Sequence, residues 1–494
     1  MEENISKMKE LFTDCHDFVD RKFPLGCDQS LWVYVAYIDM MTDRMAVELT
    51  VIAPLQRFSA RHSSIEDVSN KKSTFDILKD CGMDTADIKE LDDFDEIMFN
   101  ILAGETLLLI DGYPKAIIIA SRGFPNRGVN DADTEVVVHG SREAFNEVVR
   151  FNTALVRRRI RDPHLKVKHS RVGRRSETDI ALMYLSDLVR PAILEEVEKR
   201  LAEIDIDAIL DSGYIEGFIE DDWLSPFPQV QMTERPDKVA ASILEGRIAI
   251  IVDNTPFVII VPVTLNSFFQ ASEDYYNRWQ IMSFVRVIRY IAAVFAVALP
   301  GFYIAATVFH PSMIPLLMIL KMSEARHPVP FPAVLEILMM DAAFELLREA
   351  GIRLPRAAGG TIGIVGGLII GQAAVEAGLV SPIVVIVVAL AGVSNFAIPN
   401  VSLVAGFRLS KYLVIILSAI LGLLGFWAGL LILLIHLASL KSFNIPYLYP
   451  YAAAELNQYQ DNKDSIFRLP LFAMKKRPFF ANPDNTQRLK DKSK

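Results

Sequence analysis

Cysteine is scarce in this chain of 494 residues, which contains only Cys15, Cys27 and Cys81. No two of them have the short spacing of a zinc or redox motif, so the pattern favours free thiols in a reducing compartment. The 8 histidines stand singly, and we expect none of them to bind a metal. The sequence also lacks a nucleophile elbow, a P-loop and a recognisable acid–base pair. We therefore expect neither an enzyme nor a bound cofactor.

Positive charge is in deficit, because 51 Lys and Arg residues face 60 Asp and Glu residues, for a net charge of −9. An acidic chain is a poor partner for nucleic acid, and we expect no nucleic-acid binding. The first residues, MEENISKMKELFTDCHDF, contain no basic stretch followed by an apolar core, which predicts no secretory signal. We expect the N-terminal half to stay in the cytoplasm.

Long apolar runs are nearly absent before Ser283 and frequent after it. Residues 290–309 are 20 positions without a charge, enough to cross about 30 Å of hydrocarbon as a helix. Arg286 and Arg289 precede this run, as expected for a cytoplasmic flank. We predict three more spans, at residues 361–377, 383–398 and 413–437.

The region between the first and second predicted spans is less regular. The run SMIPLLMIL is too short to cross, and AVLEILMMDAAFELLREAG carries several charges. The second stretch either lies in the membrane interface or forms a polar span that faces a cavity. We expect cytoplasmic positions for Lys321, Arg326, Arg348, Arg353 and Arg356, and an outer position for the uncharged turn GLVSP. The number of spans is then four to six.

One strand–turn–strand pattern is written twice in the first half. ILAGETLLLIDGYPKAIII occupies residues 101–119, and ILEGRIAIIVDNTPFVIIV occupies residues 243–261, 142 positions later. Shared positions include Gly104/Gly246, Asp111/Asp253 and Pro114/Pro256. Two short apolar runs around a turn signal predict a β-hairpin. We interpret the two aspartates as turn residues rather than as a ligand pair.

A strand followed by a helical pattern precedes each hairpin, at LWVYVAYI and at IALMYL. The sequence therefore predicts an α/β cytoplasmic part, made of two tandem similar α/β subdomains, followed by an α-helical transmembrane domain. The expected division is an N-terminal segment at 1–24, subdomains at 25–165 and 166–282, a membrane domain at 283–440 and a tail at 441–494.

Four arginines, Arg157, Arg158, Arg159 and Arg161, crowd the end of an amphipathic helix between the two subdomains. Two interpretations stay open for them. They form a solvated basic face near the helix C-terminus, or they contact anionic lipid or an acidic neighbouring subunit.

The predicted span at 361–378, TIGIVGGLIIGQAAVEAG, has two stripes of different character. Small residues that allow close helix packing form the first, at Gly363, Gly367, Gly371 and Gly378. Apolar and polar residues at every fourth position form the second, at Ile364, Leu368, Gln372 and Glu376. The second stripe either belongs to a satisfied packing network or lines a conduction path. We reject a nucleotide-binding loop, because GGTIGIVGG neither follows a strand nor begins a soluble helix.

Several long stretches between about residues 100 and 450 are specific enough to compare with known families. They are DSGYIEGFIEDDWLSPFPQVQMTERPDKVAASILEGRIAIIVDNTPFVIIVPV, EDYYNRW, ELLREAGIRLP, GIVGGLIIGQAAVEAGLVSPIVVIVV and SFNIPYLYP. Together they resemble the A subunit of GerA-type spore germinant receptors. The resemblance implies a multi-pass protein of the spore inner membrane, with its N-terminal domain in the spore core. It also implies a homo-oligomer that forms a nutrient-gated cation channel beside a transporter-like B subunit and a lipoprotein C subunit.

Other functions stay open at this point. The related stage V sporulation protein AF shares the patterns FNTALVRRRIRDP and GRRSETDI, whereas SPFPQVQ, TERPDKV and GQAAVEAGL favour the receptor subunit. A scaffold that only positions the B and C subunits is a second alternative. A secondary transporter fits less well, because the duplication lies in the first half of the chain and not in the membrane half.

Overall fold

The structure is a computed structural model, and it describes residues 1–25, 31–61, 88–123, 135, 137–353, 367, 370–452 and 461–489. The chain forms two compact units. The α/β unit contains Met1–Glu220, Val230–Pro262 and Lys475–Lys494, and the helical unit contains Asp221–Gln229 and Val263–Met474. These divisions differ from the expected ones, because the tail is shared between the two units and residues 221–229 join the helical unit. These assignments depend on contacts between segments far apart in the sequence, which no local pattern reveals.

Two five-stranded antiparallel sheets form the centre of the α/β unit. The first has the order β1-β2-β4-β5-β3 and the second has the order β6-β7-β9-β10-β8. The strands of the first sheet are β1 (Phe18–Leu25), β2 (Leu31–Ile38), β3 (Ile88–Leu91), β4 (Thr106–Ile110) and β5 (Ala116–Ile119). Those of the second are β6 (Leu165–Val172), β7 (Thr178–Leu185), β8 (Gln231–Thr233), β9 (Ile248–Val252) and β10 (Val258–Val261).

The identical strand order confirms the prediction of two similar α/β subdomains. Both hairpins lie where the repeat places them, since β9 and β10 follow β4 and β5 by the same 142 positions. Gly104 has φ 94° and Gly246 has φ 90°, in the left-handed region that favours glycine. A Cβ at either position would come within 2.7 Å of a backbone oxygen, of Met41 or of Leu188. The repeated glycine therefore serves the same close approach in both copies.

The helices of the α/β unit cover the faces of the sheets. They are α1 (Glu2–Leu11), α2 (Arg44–Val47), α3 (Ala53–Arg61), α4 (Phe94–Leu102), α5 (Val149–Arg157), α6 (Pro191–Ala202), α7 (Ser212–Ile219) and α8 (Pro236–Leu244). Local sequence signals begin several of them. Asp43 and Asp93 accept hydrogen bonds from the first turns of α2 and α4, and proline begins α6 and α8.

The repeated turn aspartates have a different role from the predicted one in the second copy. Asp253 Oδ1 accepts a hydrogen bond from the backbone nitrogen of Val149, at 2.9 Å, instead of bonding within its own turn. Val149 is the first residue of α5, and its N-cap residue Val148 supplies no side-chain acceptor. Asp253 therefore caps a helix from a distant part of the chain.

Arg157, Arg158 and Arg159 are paired with carboxylates inside the unit, which corrects both interpretations for these three, whereas Arg161 is exposed. Arg157 is fully buried and donates to both carboxylate oxygens of Asp17. Arg158 and Arg159 share the carboxylate of Glu143, and Arg161 lies 5.9 Å from the centre of the Phe99 ring. The helical pattern shows that the arginines cluster, but it does not show that Asp17 and Glu143 pair with them.

One carboxyl group of the α/β unit titrates far above its ordinary range. Burial, and then the charges of Glu220 and Asp211, raise the pKa of Glu216 on α7 to about 7. Because this pKa is higher in the folded than in the unfolded chain, stability is greatest at acidic pH and falls as pH rises through 7. We expect Glu216→Gln to raise the melting temperature of the purified chain at pH 8 and to change it little at pH 5. The exposed carboxylate of Glu195 offers a control, since Glu195→Gln should have the same small effect at both pH values. An equal effect of Glu216→Gln at pH 5 and pH 8 would contradict the assignment.

The helical unit contains a bundle of long helices preceded by two short ones. The short helices are α9 (Leu265–Phe269) and α10 (Glu273–Tyr276). The bundle contains α11 (Trp279–Ile304), α12 (Leu316–Arg326), α13 (Ala333–Arg353), α14 (370–376), α15 (Pro382–Phe396), α16 (Val401–Leu421) and α17 (Leu423–Ser439). A short ladder of β11 (Lys441–Ser442) and β12 (Ile445–Pro446) follows.

Apart from the short helix α12, successive helices of the bundle run in alternating directions. We call the end where α11 begins the proximal end, and the end where it finishes the distal end. Tyr303 and Ile304, near the distal end of α11, share an apolar cluster with Ile337 of α13 and Val384 of α15, so α13 and α15 both start distally. Gly422 lies against the Phe309 ring, which places the turn between α16 and α17 at the distal end as well.

The predicted single span at 413–437 is wrong, because the chain reverses in its middle. Gly422 has φ 61° and separates α16 from α17, and Gly429 of α17 packs back against Val414 of α16. Gly422 is where a left-handed conformation and contact with Phe309 coincide, and only a residue without Cβ fits both. The sequence is apolar on both sides of Gly422, so its composition does not show that two helices form a hairpin there.

The expected opposite locations of Arg326 and the turn GLVSP are also wrong. Arg326 lies 3.2 Å from the carboxylate of Glu336, and the same carboxylate accepts a hydrogen bond from the backbone nitrogen of Ser381 at 2.8 Å. Arg326 and Ser381 are therefore at the same, distal end of the bundle. A cation that is paired with a buried carboxylate does not follow the rule for free flanking charges.

Candidate functional site

The polar residues of the predicted conduction helix lie on the surface of the single chain. Gln372 and Glu376 of α14 are both exposed, and the Gln372 side-chain nitrogen donates to the Glu376 carboxylate at 2.8 Å. Glu376 is the last helical residue before the turn at Gly378, at the distal end. The pair is therefore available to a neighbouring chain or to an aqueous lumen.

The small residues of the same segment face the rest of the bundle. A Cβ on Gly371 would lie 3.4 Å from Val385 of α15, and one on Gly367 would lie 3.7 Å from Leu347 of α13. Gly378, with φ 65°, approaches the backbone oxygen of Pro328. The described part of the segment thus has a packed small-residue side and an exposed polar side. Gly363, Ile364 and Leu368 lie outside the described residues, and their roles stay predictions.

Charged pairs connect α13 with α16 inside the bundle. Lys411 and Asp341 are buried and form an ion pair, and the Arg408 guanidinium lies 2.8 Å from Glu345 one turn away. Lys411 lies in the middle of α16, which is otherwise apolar enough to be a candidate span. Charges at such a depth are costly unless paired, and they commonly mark functional parts of membrane proteins. Analysis of the sequence found the charges of α13 but missed Lys411, whose position within an apolar run was the available signal.

A second buried ionic cluster lies at the proximal end, where α10 meets α11. The Asp274 carboxylate accepts hydrogen bonds from Arg286 at 2.9 Å and from Arg289 at 2.8 Å. Arg286 also donates to Asp464, at 2.7 Å, and Tyr275 donates to the other oxygen of Asp464, at 2.6 Å. The side chains of Asp274 and Arg286 are completely buried. We call these five residues the proximal cluster.

The proximal cluster changes the interpretation of Arg286 and Arg289. The sequence predicts them as a cytoplasmic flank, and they do lie in the first turns of α11. However, their charges are neutralised by the preceding helix and by a segment that returns from the C-terminal part of the chain. The cluster therefore joins the start of α11 to Asp464, which is 178 positions after Arg286.

Two helices of the described chain are long and apolar enough to cross a membrane, at Trp279–Phe309 and Val401–Leu421. Two shorter apolar helices, Pro382–Phe396 and Leu423–Ser439, pack in the same unit. These lengths and compositions agree with membrane insertion of the helical unit, although the two long helices alone are weak support for it.

The sequence model for the family "Bacillus/Clostridium GerA spore germination protein" matches residues 6–480. The chain belongs to the GerA family. This confirms the resemblance inferred from the central motifs and extends it to nearly the whole chain. The α/β unit and the helical unit are thus parts of one family architecture.

Relatives of this GerA-family chain include two proteins from Bacillus subtilis (strain 168). Spore germination protein KA is 39% identical over 475 residues, which are 96% of this chain and 85% of the relative. Stage V sporulation protein AF is 36% identical over 388 residues, 78% of each chain. A solved structure, the N-terminal domain of the A subunit of the Bacillus megaterium spore germinant receptor GerK3, is 31% identical. It matches with a TM-score of 0.40, over 53% of this chain and 94% of that domain.

The buried pair of Lys411 and Asp341 in the GerA-family chain can be tested by a double-mutant cycle. Lys411→Met removes the cation, and we expect a loss of about 1–3 kcal/mol in the free energy of unfolding. The double variant Lys411→Met/Asp341→Leu should recover most of that stability, since a buried ion pair and an apolar pair are often equivalent. Thermal unfolding of the purified chain in detergent measures both, and equal losses in the single and double variants would refute the coupling.

Proposed function

We propose that this GerA-family chain is the A subunit of a spore germinant receptor, and that several copies form a nutrient-gated cation channel in the spore inner membrane. The observation that supports a channel is the exposed pair Gln372–Glu376 on a helix that packs its small residues against an apolar bundle. Polar and ionised side chains on a membrane helix are unfavourable against lipid and almost always face water or a partner. Facing a lumen shared with other copies removes that cost.

The alternating directions of the bundle support six crossings. In this arrangement α11, the predicted span at 361–377 and α16 cross from the proximal to the distal side, and α13, α15 and α17 cross back. Because the chain enters α11 at the proximal end after the N-terminal unit, the proximal side is the cytoplasm, here the spore core. The charges of α13 are compatible with crossing, since Asp341 and Glu345 are paired with cations of α16.

The pore is assigned to the stripe of Ile364, Leu368, Gln372 and Glu376. A ring of Glu376 carboxylates at the distal mouth would concentrate cations, as acidic rings do in cation channels. Deeper in the lumen, a ring of Leu368 side chains would form an apolar constriction that closes the pore by excluding water. Gly363, Gly367, Gly371 and Gly378 let this helix pack closely, which keeps the lumen narrow.

The partners of the channel are the B and C subunits of the receptor and the lipid of the inner membrane. The similarity to spore germination protein KA supports this assignment. In this proposal the B subunit binds the nutrient and the A subunit conducts. The proposed function contains no catalytic step and no cofactor.

A channel subunit of the stage V AF type, which amplifies germination, is the second candidate. The similarity to stage V sporulation protein AF, at 36% identity, supports this second candidate. The similarity to protein KA, at 39% identity, supports the receptor subunit. The two candidates share the pore and differ in the trigger. Deleting the chain should abolish the response to one nutrient if it is a receptor subunit, and should slow the response to every nutrient if it is an amplifier.

Cysteine scanning tests the assignment of the pore stripe. We expect cysteine at position 372 or 376 to react with a small, membrane-impermeant thiol reagent when nutrient opens the receptor, because both positions then face water. Cysteine in place of Gly371, which faces α15, serves as a buried control that stays unreactive. Complete protection of positions 372 and 376 in both open and closed receptors would show a dry packing role instead.

A further inference from the structure

Residues 221–229 form a short loop that belongs to the helical unit, although the chain on both sides of it belongs to the α/β unit. The side chain of Gln229 closes the loop. Its oxygen accepts hydrogen bonds from the backbone nitrogens of Asp221 and Asp222, at 3.1 and 2.9 Å, and its nitrogen donates to the Asp222 backbone oxygen at 2.7 Å. The loop is therefore a defined structure rather than a loose connection.

The loop is fixed to the proximal ends of α16 and α17. Ser225 Oγ lies within 2.9 Å of His436 Nε2 on α17. Phe227 is fully buried, with its ring centre 5.7 Å from that of Phe407 on α16. A Cβ on Gly406 would come within 2.7 Å of the Pro226 backbone oxygen, so the loop approaches α16 as closely as a glycine allows.

The two carboxylates of the loop accept hydrogen bonds from backbone nitrogens, whereas two of its large apolar side chains are exposed. Asp222 accepts a hydrogen bond from the backbone nitrogen of Leu224, and Asp221 accepts one from Phe443, at 3.1 and 2.9 Å. Trp223 is 80% exposed and Leu224 is 72% exposed. Exposure of an indole ring beside an exposed leucine is unfavourable in water, so the pair calls for a covering surface.

The surroundings of the loop indicate what covers Trp223 and Leu224. Leu434 and Ile435 of α17 are exposed beside His436, the residue that the loop contacts, so the apolar surface of the helix leads directly to the loop. Trp279, at the proximal start of α11, is also partly exposed. Trp427 is exposed near the distal end, five residues after Gly422. Tryptophans at both ends of an apolar bundle are typical of the two membrane–water interfaces.

We propose that residues 221–229 are an interfacial membrane anchor, in which Trp223 and Leu224 insert among the lipid headgroups on the proximal side of the bilayer. This proposal rests on the proposed membrane insertion of the helical unit. The loop would then fix the depth of α16 and α17 at the proximal interface, while Trp427 lies at the distal one. The occupant is the lipid surface, since the exposed pair is continuous with the apolar outer face of the bundle.

Fluorescence quenching by brominated lipids tests the anchor in the full chain. The chain contains 4 tryptophans, at positions 32, 223, 279 and 427. Changing three of them to phenylalanine leaves Trp223 as the sole indole, and matched variants retain only Trp427 or only Trp32. Each is reconstituted in phosphatidylcholine–phosphatidylglycerol vesicles that carry bromine either close to the headgroup or deep in the acyl chain.

We expect Trp223 to be quenched more strongly by bromine near the headgroup than by deep bromine, and Trp32 of the first sheet to be unaffected. Quenching of Trp427 with no quenching of Trp223 would overturn the anchor, and would indicate that water or a protein covers the loop. Absence of quenching for both would overturn the membrane insertion of the helical unit and the anchor with it. Stronger quenching of Trp223 by deep bromine would also refute an interfacial position.

Discussion

Spores that carry Leu368→Ala are expected to release cations and germinate with little or no nutrient. Leu368 belongs to the same predicted stripe as Gln372 and Glu376, and it lies four positions before Gln372. Cutting a ring of leucines to alanines widens the constriction and lets water enter, so the closed state no longer holds back ions. Release of potassium from spores in nutrient-free buffer measures the effect.

If Leu368 instead packs in an ordinary core, Leu368→Ala would reduce germination rather than start it without nutrient. The same truncation would then leave a cavity, cost about 2–5 kcal/mol by analogy with soluble cores, and lower the amount and activity of the receptor. Ile370→Ala provides a control on the same helix, because Ile370 is 40% exposed and lies off the predicted pore stripe. Loss of receptor without any leak would refute the gate.

Asp274→Ala is expected to remove most of the folded chain from the membrane. The carboxylate of Asp274 is the shared acceptor of Arg286 and Arg289, and all three side chains are at least nine-tenths buried. Breaking a buried ion pair by removing one partner costs about 3–5 kcal/mol. The cost should exceed that of Lys411→Met, because removing Asp274 takes the shared acceptor from two buried guanidinium groups, which cannot lose their protons.

The adjacent carboxylate of Glu273 offers a matched control for this prediction. Glu273 is only partly buried, and Glu273→Ala should leave the yield of folded protein close to that of the wild type. Size-exclusion chromatography of the detergent extract reports folded and aggregated chain separately. Equal yields from Asp274→Ala and Glu273→Ala would mean that the proximal cluster contributes little to the fold.

The repeat in the α/β unit could be predicted because its signals are local. Two apolar runs around DGYPK or DNTPF specify a hairpin within 20 positions, and the repeated glycine before each hairpin marks a close backbone approach. The order of the strands follows from neighbours in sequence, apart from the short edge strands β3 and β8. The two hairpins and the duplication were thus accessible from spacing, whereas the edge strands β1, β3, β6 and β8 were not predicted.

The failures of prediction share one physical origin, since each depends on a tertiary contact that the local sequence pattern does not show. Gly422 ends a helix because contact with Phe309 and a left-handed turn coincide there. The other two glycines of the same apolar run, Gly425 and Gly429, do not end a helix. Arg326 is distal because Glu336 binds it there. Arg286 is buried because Asp464 returns from the C-terminal part of the chain.

The predicted pore site was only partly accessible. Periodicity separated the small-residue stripe from the mixed stripe, and in the described residues Gly371 packs inward whereas Gln372 and Glu376 are exposed. Periodicity did not indicate that Lys411 and Asp341 would pair inside the bundle, because each residue on its own resembles an unfavourable charge in an apolar helix.

The mass of the purified chain in lipid nanodiscs is the most direct test of the central claim, which is that copies assemble around the predicted span at 361–378 to enclose a pore. We predict a ring of several copies, and cysteines at position 372 should form disulfides between neighbouring chains of that ring. A chain that remains monomeric in lipid at every concentration, with position 372 unable to cross-link, would contradict the account.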